Sequence, residues 1–405
     1  MNEDFLKQLH QADQLAQIIP GVRNPRYALN ELAPYEASLP KGKMIMSANE
    51  SPFNLPEIMR EQLARDVLNF DFNRYPDPLS KSLREKISAW HQVACNSVLV
   101  GNGADELIYD IMLAWAGVDS AAAGAAAGGK RRTILQFPPN FSMYGIYAQA
   151  LDTRVLSLQR DPEVLSIDID LAVDVLQGNA IDIVFVDNPG NPTGQITKES
   201  DIVRLLEASD ALIVVDEAYL EFSDAESMSK YLGQFPNLVI LRTLSKAYSL
   251  AGLRVGYLLA SPEIVDFLTR VRMPYSVNSF SQHAASIVLD AILNPDTAAG
   301  TELQSQISSI KDEREWLTQV LADMPGVRVW KSQANFVLFK LDKAQSVWHR
   351  MLETHDIYLR NLSTTPGLTD CLRVTVGTSK ENIAFKTALR ESIAYLSLPD
   401  NFFGG

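Results

Sequence analysis

Lys246 stands in a small, hydroxyl-rich loop, Arg242-Thr-Leu-Ser-Lys246-Ala-Tyr-Ser-Leu-Ala-Gly-Leu-Arg254, with an arginine eight residues beyond it. A lysine amine can be tethered covalently to an aldehyde. Hydroxyls such as those of Thr243 and Ser245 donate hydrogen bonds, and a guanidinium supplies charge to a phosphate. Together they suit an aldehyde cofactor that bears a phosphate. Arg254 is flanked by apolar residues, and guanidinium is seldom buried without an anion. A buried Arg254 facing an anion is therefore expected.

Three further stretches carry polar groups at the ends of apolar runs. In Ala211-Leu-Ile-Val-Val-Asp216-Glu-Ala-Tyr219, an acid closes a buried run. Its desolvation costs several kcal/mol (on the order of 3) unless a cation or good donors compensate. A protonated pyridine nitrogen would be such a cation; a helix N-cap or a metal ligand are the other readings of Asp216 alone. Asp187-Asn-Pro-Gly-Asn191-Pro-Thr-Gly194 reads as a rigid turn. Gly101-Asn-Gly103-Ala-Asp105-Glu106 reads as a glycine turn opening a helix, whose free N–H groups and dipole favour a phosphate. A nucleotide site and simple helix capping also fit that last pattern.

These groups need a scaffold that brings strand ends together. Apolar runs recur at 97–100, 133–137, 181–186, 211–215, 238–241 and 255–260, with helical periodicity between the earlier ones. The pattern predicts an α/β fold: a mostly parallel sheet with helices on both faces, followed by a smaller α+β domain. Ligands collect beyond the carboxyl ends of the strands in such sheets. The expected division is an N-terminal segment over 1–48 packing with the small domain, a cofactor-binding large domain over 49–293, and a small domain over 294–405. The latter opens on one long helix over 301–321, then strands at 326–330, 335–339 and 372–376 and a helix at 343–354. The Ala/Gly-rich segment 121–132 reads as an exposed excursion.

Composition narrows the function classes. The chain has 405 residues, is 46% apolar, and carries a net charge of −13. That charge argues against a nucleic-acid partner. Cys95 and Cys371 cannot form a disulfide framework and read as buried small hydrophobes of a reducing compartment. The five histidines show no ligand spacing, so no metal is expected. With neither a secretory leader nor a membrane span in the sequence, a cytoplasmic enzyme is expected.

The motifs Asn191-Pro-Thr-Gly, Asp216-Glu-Ala-Tyr219 and Ser245-Lys-Ala-Tyr-Ser-Leu-Ala-Gly-Leu-Arg254 carry a family resemblance over residues 35–378. The chain resembles fold-type I pyridoxal 5′-phosphate (PLP) enzymes of the class I/II aminotransferases, most of all the histidinol-phosphate aminotransferases. The resemblance implies that Lys246 carries the cofactor, Asp216 pairs with the pyridine nitrogen, and Asn191 and Tyr219 bind the ring oxygen. Ala104, Asp105, Thr243, Ser245 and Arg254 would hold the phosphate, and Phe141, where relatives more often have tyrosine, would stack on the ring. Tyr75 would reach the neighbouring subunit's cofactor, implying a homodimer. Arg373 would clamp the substrate α-carboxylate beside Asn49 and Asn335, and Tyr35 and Arg360 would receive a far phosphate. Histidinol phosphate and 2-oxoglutarate are the implied substrates. Aromatic amino acids, decarboxylation of threonine phosphate, and a PLP-sensing regulatory module are the alternatives on the same scaffold.

Overall fold

The computed structural model describes residues 43–119 and 130–396. Tyr35, most of the expected N-terminal segment, and most of the Ala/Gly-rich excursion lie outside the described residues.

Seven strands form the large sheet: β2 (Val98–Asn102), β5 (Thr133–Gln136), β6 (Arg154–Ser157), β7 (Ile183–Asp187), β8 (Leu212–Asp216), β9 (Leu238–Thr243) and β10 (Val255–Ala260). Their order is β2-β10-β9-β8-β7-β5-β6. The strands from β9 through β6 run parallel, whereas β10 is antiparallel to both of its neighbours. The reason is local: only the lysine loop connects β9 to β10, too short for a crossover helix, so the chain turns straight back. Six carboxyl ends and the amino end of β10 therefore share one edge of the sheet. Arg254, which immediately precedes β10, arrives at the edge where β8 delivers Asp216.

Why these runs become interior strands follows from their side-chain alternation. Ile183 and Phe185 enter one apolar core, and Val184 and Val186 enter the other; Leu212 and Val214 are likewise opposed to Ile213 and Val215. Both faces are covered by helices, so both need apolar residues. Strand β6 carries a polar, largely exposed Arg-Val-Leu-Ser and lies at the sheet edge.

The second sheet has five strands in the order β1-β13-β14-β12-β11, namely β1 (Met44–Met46), β11 (Val327–Val329), β12 (Phe336–Leu341), β13 (Ile357–Asn361) and β14 (Cys371–Thr375). Strand β1 lies far ahead of the others in the chain and pairs in parallel with β13. The segment that follows β1 thus passes between the two sheets, carrying Ser47, Ala48 and Asn49 to the large sheet's edge. The long helix Ala298–Ala322 precedes this sheet and buries Leu303, Ile307, Ile310 and Leu317. A small ladder, β3 (Val118–Asp119) with β4 (Lys130–Arg131), closes the base of the Ala/Gly-rich excursion. Cys371 is buried, but Cys95 is half-buried, against expectation, because it sits in a surface 3₁₀ turn ahead of β2.

Candidate active site

At the shared edge lies a cavity of about 380 Å³, within the range of small-molecule clefts. Lys246, Asp216, Tyr219, Asn191, Thr243 and Ser245 line it, and so do Ala104, Asp105, Phe141 and Arg254. Asn49, Arg360 and Arg373 close it from the side of the second sheet. Thirteen of the sixteen expected site residues are thus brought together. Of the other three, Tyr35 is outside the described residues. Tyr75 is 83% exposed and stacks on Tyr275 at 4.7 Å, away from its own chain's cavity. Asn335 is fully buried behind the wall, where its amide donates to the Asn49 carbonyl at 3.0 Å.

Lys246 is half-buried, and its Nζ donates to the Ala48 carbonyl at 3.0 Å. Burial disfavours the ammonium form, and the nearby Arg373 charge adds to this, so the amine falls to about 8. A lysine at that value has a substantial neutral, nucleophilic fraction near neutral pH. Asp216 has the opposite problem. It is buried, and burial lifts its carboxyl to about 7 despite a hydrogen bond from the Tyr144 hydroxyl at 2.8 Å and another from the Ala218 N–H at 3.1 Å. Asp187, one strand over, adds like-charge repulsion although Arg160 pairs with it at 2.6 Å. Two donors alone do not keep Asp216 ionised at the usual carboxylate value; a cation in the cavity would.

The Tyr219 hydroxyl accepts from the Asn49 amide at 3.0 Å and the Asn191 amide at 3.4 Å. Burial pushes Tyr219 up to about 12, so it remains protonated and available as a donor. Arg373 donates to the Asn191 side-chain oxygen and, at 2.7 Å, to the Ser47 carbonyl, which fixes its guanidinium in the wall. Residues 360 and 373 are direct register partners on β13 and β14, so two guanidinium groups serve the same end of the cavity.

The turn after β2 has groups that could hold an anion. Gly103 adopts φ +80° and is followed by the helix Ala104–Trp115, whose first N–H groups have no intrahelical acceptor. Thr243 donates to the Ser245 hydroxyl at 2.9 Å, on the opposite rim. Arg254 corrects the expectation of burial: its side chain is 45% exposed and pairs with Asp105 at 2.9 Å. Its apolar neighbours enter the sheet, while a left-handed backbone at residue 254 turns the guanidinium outward into the cleft.

Several contributors escaped the sequence reading. Tyr144 binds Asp216 across 72 positions, and the buried Arg160–Asp187 pair supports the turn at Asn191, whose N–H donates to Asp187 at 2.8 Å. Asp187 opens the turn already read from the sequence, but there Asn191 drew the assignment; Tyr144 lies three residues beyond Phe141, which drew the ring-stacking role, and Arg160 lies in no stretch singled out by its chemistry.

The cavity's residues fit a phosphorylated pyridine aldehyde on their own chemistry. A buried carboxyl has no cationic partner among the described residues, a lysine amine is lowered towards neutral pH, and N–H groups, hydroxyls and a guanidinium that could hold an anion stand together. Comparison with known proteins agrees. The family model for aminotransferase class I and II matches residues 41–385. The histidinol-phosphate aminotransferase of Caldanaerobacter subterraneus is 37% identical over 89% of this chain and 96% of its own length. Histidinol-phosphate aminotransferase 1 of Carboxydothermus hydrogenoformans is 38% identical over 89% and 97%. Among solved structures, the histidinol-phosphate aminotransferase of Sinorhizobium meliloti in complex with pyridoxal-5′-phosphate superposes with a TM-score of 0.76 at 22% identity, covering 87% of this chain and 92% of that one.

Proposed function

This chain belongs to the class I and II aminotransferases, and on that footing we propose that it uses PLP to move the amino group of L-histidinol phosphate to 2-oxoglutarate. The products are imidazole acetol phosphate and L-glutamate, a step of histidine biosynthesis. One observation carries the cofactor assignment: Lys246 and Asp216 face one cavity, the amine of the first lowered to about 8 and the carboxyl of the second without a cationic partner among the described residues. When bound, PLP would supply an aldehyde for reversible attachment of amines and a ring that accepts the electron pair left when the α-proton departs.

The chain's own groups do the rest. Asp216 would hold the ring nitrogen protonated, and that cation would draw its carboxyl back down. Asn191 and Tyr219 would bind the ring hydroxyl; Phe141 would cover one ring face. The N–H groups of Ala104 and Asp105, the Thr243 and Ser245 hydroxyls, and Arg254 would hold the phosphate, with Asp105 yielding its ion pair. Lys246 Nζ, once free, would take the proton from the substrate α-carbon and deliver a proton to the cofactor's aldehyde carbon. Arg373, fixed by Asn191 and Ser47, presents paired donors to an anionic group beside the reacting carbon.

Substrate choice rests on two supports. Curated relatives covering most of the chain bear the name histidinol-phosphate aminotransferase. Arg360 and Arg373 also stand side by side, and their paired charge suits both the phosphate of histidinol phosphate and the carboxylate of glutamate. A half-reaction screen tests the choice by following loss of the cofactor's absorption band on adding histidinol phosphate, phenylalanine, tyrosine or threonine phosphate. The expected result is the fastest conversion with histidinol phosphate; conversion by phenylalanine alone would reassign the substrate. Within the same proposal, the enzyme is a cytoplasmic homodimer in which exposed Tyr75 completes the partner's site. Its large domain spans 49–293 and its small domain 294–405, with 1–48 packing on the latter. Among the described residues no helix is long and apolar enough to cross a membrane.

A further inference from the structure

Tyr144 lies behind the cavity wall rather than in it, yet it holds one of the wall's two key groups. Its hydroxyl donates to Asp216 Oδ2 at 2.8 Å, while Oδ1 takes the Ala218 N–H at 3.1 Å. The ring has no solvent exposure. It stacks on Phe185 at 4.4 Å with an interplanar angle of 11°, and meets Phe141 edge-on at 5.6 Å. Phe185 belongs to β7, next to the strand that carries Asp216, so the clamp and the acid share one sheet. We propose that Tyr144 is a positioning residue: from its clamp between Phe141 and Phe185 it holds Asp216 as an oriented carboxylate for the cofactor's ring nitrogen. The inference rests on the PLP reading and adds to it a group that never touches cofactor or substrate.

The groups around Asp216 make this donor necessary. Asp187 on β7 and the more distant Asp105 both repel a negative charge there, and Tyr219 on the cavity side is neutral. Among the side chains of the described residues, Tyr144 is the one that hydrogen-bonds to Asp216 and favours its ionised form. Burial and the adjacent acids raise the tyrosine itself well above its ordinary value, so it donates at any working pH. The loop before Met143–Ala150 thereby sets two features of the ring site together: Phe141 at a face, and through Tyr144 the ionisation of the acid.

The test compares two ligands on the full-length protein by equilibrium dialysis: PLP, and its carbocyclic analogue with carbon in place of the ring nitrogen. Tyr144→Phe should weaken PLP about tenfold at neutral pH, the scale of one hydrogen bond to a charged group. It should leave affinity for the analogue unchanged, because nothing there pairs with Asp216. The decline of PLP affinity on acidification should also begin at higher pH in the variant, since Asp216 then protonates more easily. Phe185→Leu, which loosens the clamp but keeps the hydroxyl, serves as the packing control and should affect both ligands alike. Equal weakening of both ligands by Tyr144→Phe, or no weakening of PLP, would overturn the positioning role. Failure of the unaltered chain to bind PLP would instead overturn the cofactor assignment, a result separable from either.

Discussion

Lys246 and Asp216 are perturbed in opposite senses by one cause, burial, and each perturbation predicts a pH dependence. With the amine near 8, covalent capture of PLP by the cofactor-free protein should accelerate as pH rises and level off above about 8. Arg373→Gln should move that midpoint upward, because the Arg373 charge is part of what lowers the amine; stopped-flow absorbance measures both. Asp216→Asn should slow the histidinol phosphate half-reaction by about a hundredfold or more, while the protein still binds some PLP; a full rate in single-turnover experiments would remove its role. At this scale the sequence was most legible where chemistry is written locally, as in the lysine loop or the acid that ends β8. It was least legible where a contact spans the chain. Nothing near Tyr144 indicates that its hydroxyl will meet residue 216, and nothing near Arg254 indicates that its backbone will turn left-handed and carry the side chain outward.

Among the elements, β10 has the greatest influence on the site, because its reversed direction places Arg254 beside the glycine turn after β2, where it pairs with Asp105. The close fit of these pieces depends on Gly256. A Cβ there would lie 2.4 Å from the Ala104 nitrogen and 2.5 Å from the Gly103 carbonyl carbon, both backbone atoms. Gly256→Ala should therefore push the turn off the sheet, destabilise the fold by about 1–3 kcal/mol and weaken PLP binding; urea midpoints and cofactor affinity measure the two effects. The five interior strands and the buried edge strand β2 were legible as apolar runs because burial demands them. Strand β6 was not, since it lies largely exposed and so carries no such run. Strands β1 and β13 escaped for a different reason: one is three residues long, and their partnership joins parts of the chain more than 300 residues apart. The geometry of Ser47, Ala48 and Asn49 follows from that pairing, so the main-chain acceptors for Arg373 and Lys246 were equally out of reach.

On the scale of the whole molecule, folding stability should record the strain of a cavity built for a missing cation. Asp216 ionises at about 7 in the folded chain against 3.8 ordinarily. Well below pH 3.8 it is protonated in both states and contributes no penalty; as pH rises towards 7 the unfolded chain ionises first, and the folded state loses ground. Without cofactor, the unaltered protein should thus lose stability relative to Asp216→Asn between pH 4 and 7, by on the order of 3 kcal/mol. Thermal unfolding of both across that window reads the difference. Assembly has its own test: a chain carrying Lys246→Ala mixed with one carrying Tyr75→Phe should form mixed dimers with one intact site each. Activity recovered above both parents supports donation of Tyr75 across the interface, whereas no recovery would confine Tyr75 to its own subunit. Fold class and half of the residues that line the cavity were readable in the sequence, because strand-end motifs in an α/β sheet converge at one edge. The measurement that bears most directly on the account is borohydride reduction of the protein with PLP, followed by peptide mapping. The account predicts the added phosphopyridoxyl mass on Lys246 and its absence from Lys246→Ala; a label on another lysine, or none, would contradict it.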